Sequence, residues 1–360
     1  MPFRIALIPG DGIGPEVIAQ GIRVLQAITA TTGTRLDFVN YDLGAERYLR
    51  TGEILPDSVF KELSQADAIY LGAVGDPRVQ NPQYAAGLLL RLRFDLDLWV
   101  NLRPSRLLAP GLTPLRDAAS IDLVVVRENT EGAYVGIGGQ FKRGTPDEIA
   151  IQEDVNTRKG VERIQRYAFE LAGQRRAAGH RGRVTMVDKS NALYHAHDLW
   201  QRVFALQRQE SPEIEAEHLF VDAAAMQLVK DPGRFDVVVT TNMFGDILSD
   251  LASELVGGLG QAPSANINPE NRRGLFEPVH GSAPKHAGKG IANPVGAILA
   301  GAMMLRHLGD KKGALKIEEA VMSAAGDRRT TRDLGGTLST TAAADAVLER
   351  LGRIGSSRPS

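Results

Sequence analysis

Apolar residues in this chain fall in short runs that alternate with longer amphipathic stretches. Residues 4–8, 68–72, 123–127, 183–187 and 237–241 read as short apolar strands. Residues 14–31, 57–65, 161–176 and 246–255 repeat apolar positions at a helical period. In the third of these, Val161, Ile164, Tyr167, Ala168 and Leu171 line one side; in the fourth, Ile247, Leu248, Leu251 and Leu255 do. Strand and helix alternating over most of the length predict an α/β protein. Two stretches break the pattern. Residues 134–156 are punctuated by Gly136, Gly138, Gly139, Gly144 and Pro146 and carry the alternating segment 148–152, which predicts a projecting strand-and-loop arm. Residues 261–294 are rich in Gly, Pro, Asn and Ser, and read as a long irregular loop of the kind that usually has a function.

Composition narrows the partners. A length of 360 residues suggests about two domains. With 42 Lys plus Arg against 43 Asp plus Glu, the net charge of -1 argues against a nucleic-acid binder. The absence of cysteine excludes disulfides, thiolate metal sites and a Cys nucleophile. No signal-like segment precedes residues 3–8 and no 18-residue uncharged apolar stretch occurs, so a cytoplasmic protein without membrane contact is expected.

Gly10-Asp11-Gly12-Ile13-Gly14 stands where a dinucleotide-binding loop would, between strand and helix, but lacks the G-x-G-x-x-G spacing; it reads more readily as a tight turn opening a helix at Pro15. Arg93, Arg103 and Arg127 would grip a di-acid if they converged, and would be solvated singly. Asp246 and Asp250, four apart on a helix, could share a divalent cation or merely sit near the helix start. With Asp222 they form an oxygen set suited to Mg²⁺ or Mn²⁺ rather than zinc. Lys189 and Tyr134 become acid–base candidates only beside such charges. His195 and His197, two apart on a helix, face different ways and are discounted as a ligand pair.

Six ordered motifs then resemble the β-decarboxylating dehydrogenases, the isocitrate/isopropylmalate dehydrogenase family, over nearly the whole chain. They are Gly10-Asp11-Gly12-Ile13-Gly14-Pro15-Glu16, Asn101-Leu102-Arg103-Pro104, Val126-Arg127-Glu128-Asn129-Thr130-Glu131-Gly132, Asp188-Lys189-Ser190-Asn191, residues 242–250, and Glu277-Pro278-Val279-His280-Gly281-Ser282-Ala283-Pro284. The resemblance implies a two-domain α/β fold distinct from the Rossmann type, with a clasp-like arm at about 135–156 and the active site in the cleft. Residues 1–103 plus 257–360 would form the large domain and 104–256 the small, dimerising one. It further implies a homodimer in which Lys189 and Asp222 are lent to the partner's site. Arg93, Arg103 and Arg127, with Asp222, would hold a 2-hydroxy di-acid; Asp222, Asp246 and Asp250 would hold Mg²⁺ or Mn²⁺. Lys189 would take the hydroxyl proton during oxidation, and Tyr134 would reprotonate carbon after CO₂ leaves. Asn191, Glu277, His280, Gly281, Ser282, Ala283, Pro284, Lys285, His286, Asn293 and Arg332 would line the nicotinamide cofactor.

Members differ ahead of Arg93, where this chain reads Gly87-Leu88-Leu89-Leu90-Arg91-Leu92-Arg93. Isocitrate enzymes resemble one another in placing Ser and Asn at the positions of Gly87 and Leu89, and homoisocitrate enzymes tend to carry Arg at that of Leu90. Leu89 and Leu90 leave a γ-carboxylate unpaired but favour an isopropyl group by on the order of 1–3 kcal/mol, which points to 3-isopropylmalate. D-malate or tartrate oxidation is the alternative, since those enzymes also carry a leucine pair; a non-catalytic regulatory subunit would not need the filled catalytic positions. NAD-using members usually place Asp and an aliphatic residue after the Ala-Pro of the last motif. Here Lys285 and His286 stand there, with Arg332 further on, so the expectation leans from NAD toward NADP.

Overall fold

The computed structural model describes residues 1–81, 83–116 and 120–356. Among them twelve strands form: β1 Phe3–Gly10, β2 Leu36–Asn40, β3 Ala68–Ala73, β4 Val100–Arg106, β5 Asp122–Glu128, β6 Gly138–Phe141, β7 Ile149–Gln152, β8 Arg183–Asp188, β9 Glu215–Phe220, β10 Val237–Thr240, β11 Pro263–Asn268 and β12 Arg273–Pro278. The chain divides into two compact units, Met1–Leu98 with Arg106–Ser120 and Ser253–Ser360, and Trp99–Ser105 with Ile121–Ala252.

In the first unit the strand order is β2-β1-β3-β12-β11. β1 runs parallel to β2 and β3, and β12 parallel to β3 but antiparallel to β11. All six residues of β3 are buried, which explains its unbroken apolar sequence. Helix Gly14–Thr32 opens with Pro15, whose missing N–H costs nothing in a first turn, and buries Val17, Ile18, Val24, Leu25 and Ile28. Residues 261–294, expected to be irregular, hold the β11–β12 pair. That expectation failed because β11 buries Ser264, Asn266 and Asn268, so its sequence shows no apolar alternation. Those side chains are satisfied by backbone and neighbours: Asn266 Nδ2 donates to the Leu275 carbonyl (3.3 Å) and to Glu277 (2.9 Å), and Asn268 Nδ2 to the Asp97 carbonyl (2.8 Å).

In the second unit the order is β4-β5-β10-β8-β9, with β5, β10, β8 and β9 parallel. Arg175, on helix Arg158–Ala177, ion-pairs with Asp122 (2.9 Å) and with Asp236, which in turn accepts the Gly182 N–H (2.6 Å). One guanidinium thereby ties together the starts of β5, β8 and β10. The opposite, carboxyl ends are where open parallel sheets bind ligands. Arg127 lies at the end of β5, Lys189 directly after β8, Asp222 after β9 and Asn242 after β10. The segment expected to project contains the antiparallel ribbon β6–β7, every residue of which is exposed. No helix among the described residues is long and apolar enough to cross a membrane.

Two features of this packing are testable. A methyl at Gly21 would stand 2.0 Å from the hydroxyl of buried Tyr70, which donates to the Ala297 carbonyl (2.6 Å). Gly21→Ala is expected to cost about 1–3 kcal/mol in urea unfolding, and adding Tyr70→Phe should restore part of the loss; a double variant no more stable than G21A contradicts the packing argument. At the end of β5, burial and then the charge of Glu131 push the Glu128 carboxyl up to about 7, despite donors from Thr130 and the Glu131 N–H. A carboxyl raised on folding stabilises most at low pH and loses that contribution as pH climbs toward 7. Between pH 5.5 and 8 the native chain should therefore lose on the order of 2 kcal/mol more stability than Glu128→Gln, and parallel pH curves for the two would sink this assignment.

Candidate functional site

The second unit gathers two buried guanidinium groups beside two carboxylates. Arg127 is only 1% exposed; its Nε and Nη2 donate to Asn242 Oδ1 (2.9 and 2.7 Å) and its Nη1 to Asp246. Arg103, also buried, donates from Nε to Asn101 Oδ1 (2.9 Å) and from Nη1 to Asp250 (3.4 Å), with Nη2 3.8 Å from Asp246. Asp246 and Asp250 stand one turn apart on helix Asn242–Val256 with 39% and 48% of their side chains exposed. The Tyr134 hydroxyl donates to Asp246 Oδ2 (3.0 Å), and its ring lies 5.2 Å from the Arg127 guanidinium carbon. Of the predicted residues, the structure thus brings Arg103, Arg127, Tyr134, Asp246 and Asp250 together. Two cations and two anions sum to zero, so a dicarboxylate and a dication could enter together without leaving a net buried charge. Half-exposed carboxylate oxygens one turn apart fit a hard divalent cation.

Lys189 and Asp222 form a second group. Lys189 Nζ lies 2.6 Å from Asp222 Oδ1, and this ammonium holds the Asp222 carboxyl below its ordinary range. Asp222 does not join the other two carboxylates in this chain: among the described residues no three His, Asp or Glu side chains gather to hold a metal. Asn191 and His195 are exposed while His197 is buried, in keeping with two histidines facing different ways.

The remaining predicted residues belong to the first unit. Gly12 has φ 58°, and a Cβ there would lie 1.9 Å from the Ser282 carbonyl, which accepts the Ile13 N–H (2.8 Å). The glycine turn is thus locked to the Ser282 loop, and its job includes admitting a second backbone segment. His280 contacts the Gly281 carbonyl through Nδ1 (3.0 Å); its Nε2 is buried without a hydrogen-bond partner, and burial lowers its pKa. Such a nitrogen, beside exposed Gly281 and a left-handed Ala283, suits a polar ligand. Pro284–His286 is a single exposed turn presenting Lys285 and His286, and Arg332 is likewise exposed. Asn293 Nδ2 donates to Asp333 (2.8 Å). Arg93 is buried and ion-pairs with Glu277 (3.1 Å). On the same helix, Tyr84–Asp95, Leu88 and Leu92 enter the core while Leu89 and Leu90 stay half-buried.

Sequence reasoning gave no role to Asn101, Asn242, Glu16 or Asp333. The first three lie inside the quoted motifs. Asn101 and Asn242 orient the two arginines, and Glu16 accepts the N–H groups of Gly288 and Gly290 (3.2 Å for the latter). Asp333, which also accepts from Thr331 (2.5 Å), follows Arg332 and had no signal beyond that adjacency.

Several proteins resemble this chain along almost its full length. It is 50% identical over 355 residues to the 3-isopropylmalate dehydrogenase of Thermobifida fusca, covering 98% of each chain. Among solved structures it is similar to the isocitrate dehydrogenase of Methylococcus capsulatus, at 40% identity and a TM-score of 0.86 over 97% of this chain and 99% of that one. It is also similar to a beta-decarboxylating dehydrogenase of Thermococcus kodakarensis in its apo form, at 37% identity and a TM-score of 0.80 over 99% and 100%. Residues 4–347 match the isocitrate/isopropylmalate dehydrogenase family, and with the motifs placed as described, the chain belongs to it.

Proposed function

We propose that this chain oxidises (2R,3S)-3-isopropylmalate and decarboxylates the product to 4-methyl-2-oxopentanoate, with reduction of NAD(P), as a step of leucine biosynthesis in the cytoplasm. The observation that carries this is the helix Tyr84–Asp95, which sets half-buried Leu89 and Leu90 on the turn before buried Arg93. Leucine side chains cannot offset the desolvation of a γ-carboxylate, whereas they gain from contact with an isopropyl group. The name borne by the Thermobifida fusca relative supports the same substrate.

Arg93, Arg103 and Arg127 bind the substrate carboxylates in this reading. Asp246 and Asp250, with Asp222 supplied by a partner copy, hold Mg²⁺ or Mn²⁺; the glycine turn, the Ser282 loop, Asn191, Glu277, His280 and Asn293 line the cofactor. When bound, the cation would supply Lewis acidity toward the C2 hydroxyl and the nicotinamide would supply a hydride acceptor. Lys189, also supplied by the partner, takes the C2 hydroxyl proton. Tyr134, whose hydroxyl already donates to Asp246, delivers a proton to C3 once CO₂ has left.

The surface of the second unit supports reading the protein as a homodimer. Met226 and Val229 on helix Val221–Lys230, Met243 and Ile247 on helix Asn242–Val256, and Phe141, Ile149 and Ile151 on the ribbon are all exposed. A bare two-stranded ribbon is marginal in water, and apolar faces of this kind suit a second copy. Lys285, His286 and Arg332 have no carboxylate partner among the described residues, and favour a 2′-phosphate over a ribose hydroxyl.

Initial rates with Mg²⁺, comparing 3-isopropylmalate with D-malate and NAD with NADP, test both parts. Expected is a kcat/KM for 3-isopropylmalate at least about tenfold above that for D-malate. The reverse order makes this a D-malate or tartrate enzyme and removes the leucine argument. NADP is expected to be preferred, with Lys285→Asp combined with His286→Ile moving the ratio toward NAD by roughly tenfold or more. A native preference for NAD would reduce the three cations to surface charge.

A further inference from the structure

We infer that His197 is a positioning residue for Lys189, and that through Asp154 it couples the base of the β6–β7 arm to that lysine. The inference rests on the reading of Lys189 as the proton acceptor. Lys189 sits in a turn whose backbone is tied on every side. The preceding Asp188, fully buried, accepts from Ser190 N–H (3.1 Å) and Gln201 Nε2 (2.7 Å) and lies 2.8 Å from His218 Nε2. The Lys189 carbonyl accepts the N–H groups of Ala192 (2.9 Å) and Leu193 (2.8 Å). Its own N–H donates to a side chain, His197 Nδ1, at 2.8 Å.

The imidazole is held as firmly as the turn. His197 is 1% exposed in the first turn of helix Tyr194–Glu210, and Phe244, two residues before Asp246, packs edge-on against it at 5.7 Å and 81°. Because Nδ1 accepts, the neutral ring carries its proton on Nε2. That nitrogen is buried, makes no hydrogen bond, and faces Asp154 Oδ2 at 3.6 Å. An N–H so placed is too far for a hydrogen bond yet has one acceptor in reach. Asp154 closes the arm. Glu153 N–H donates to the Ile137 carbonyl (2.8 Å) and Gly132 N–H to the Val155 carbonyl (2.7 Å), while Asn156 donates to Asp154 (2.9 Å) and accepts from Trp200 Nε1 (2.8 Å). Where the arm rests decides where Asp154 stands, and an Nε2–H approached by that carboxylate makes Nδ1 the stronger acceptor for Lys189. His195, two residues earlier and exposed, has no part in this.

The alternative is a satisfied core histidine with no influence on the lysine. Steady-state rates with 3-isopropylmalate decide between them, run on variants whose melting temperature and oligomeric state match the native protein. His197→Leu removes the acceptor and is expected to lower kcat roughly 10- to 100-fold with KM changed by less than about threefold, since a misplaced proton acceptor costs turnover rather than binding. His197→Asn places Oδ1 where Nδ1 stood and should recover most of the loss. His197→Gln, whose amide reaches toward Asp154 instead, should recover little. Native kcat in H197L overturns the inference. Should H197L not fold, H197Q matching or exceeding H197N overturns it equally. Lys189→Met separates the two layers: retained turnover in K189M removes the lysine reading and this inference with it, whereas an inactive K189M beside a fully active H197L removes only the inference.

Discussion

Two arginines kept out of water set the terms for the second unit. A guanidinium cannot shed its charge, and burying one costs several kcal/mol unless its N–H groups are matched. At Arg127 and Arg103 the match comes from Asn242, Asn101, Asp246 and Asp250, and so from the first three turns of a single helix and one neighbouring strand. The helix start is thereby fixed by electrostatics as much as by packing. The same balance limits what can bind. A dicarboxylate alone would crowd four acidic groups against two guanidiniums, and a dication alone would face two arginines; together they restore neutrality. A dicarboxylate and a dication would therefore reinforce each other's binding here through charge alone.

The first unit works by a different principle. There the glycine turn and the Ser282 loop are joined through the Ile13 N–H, the Gly288–Gly290 backbone is held by Glu16, and Asn293 is held by Asp333. Charged side chains appear only at the margin, as exposed Lys285, His286 and Arg332. A loop cluster held through its backbone keeps its shape whatever side chains stand at its exposed margin. Lys285, His286 and Arg332 can therefore be substituted with that backbone intact.

How far the sequence disclosed this depended on what each segment buries. β3 and β10 are apolar throughout and legible because they are covered on both faces. β11 is no less buried, yet its Ser264, Asn266 and Asn268 are satisfied by contacts from distant segments, which no local pattern can show. The residues carrying charge chemistry were legible for the opposite reason: Arg103, Arg127, Asp246 and Asp250 are costly to bury and stand in dense motifs. Their supports were not. Asn101 and Asn242 read as polar residues until an arginine is seen to lie against them. At His195 and His197 the helical period did separate an exposed ring from a buried one, but it could not show that the buried ring meets the Lys189 backbone.

The helix Tyr84–Asp95 separates positions that seat it in the core from positions that are only half-buried. Leu88 and Leu92, four apart, insert beside Ile8, Leu71 and Leu275 and fix the helix in rotation. Leu89 and Arg93, also four apart, then share the adjacent stripe, with Leu90 three residues from Arg93 on its other side. Arg93 is anchored independently by Glu277, which Asn266 also holds. Arg93 is thus secured from the sheet, while Leu89 and Leu90 are both half-buried, Leu89 packing against the core cluster and Leu90 standing outside it. A change at Leu90 leaves the core cluster intact and one at Leu89 trims its edge, whereas a change at Leu88 or Leu92 would unseat the helix and move Arg93 with it. Apolar character at Leu89 is for that reason partly explained by packing, whereas at Leu90 the core gives no reason for it.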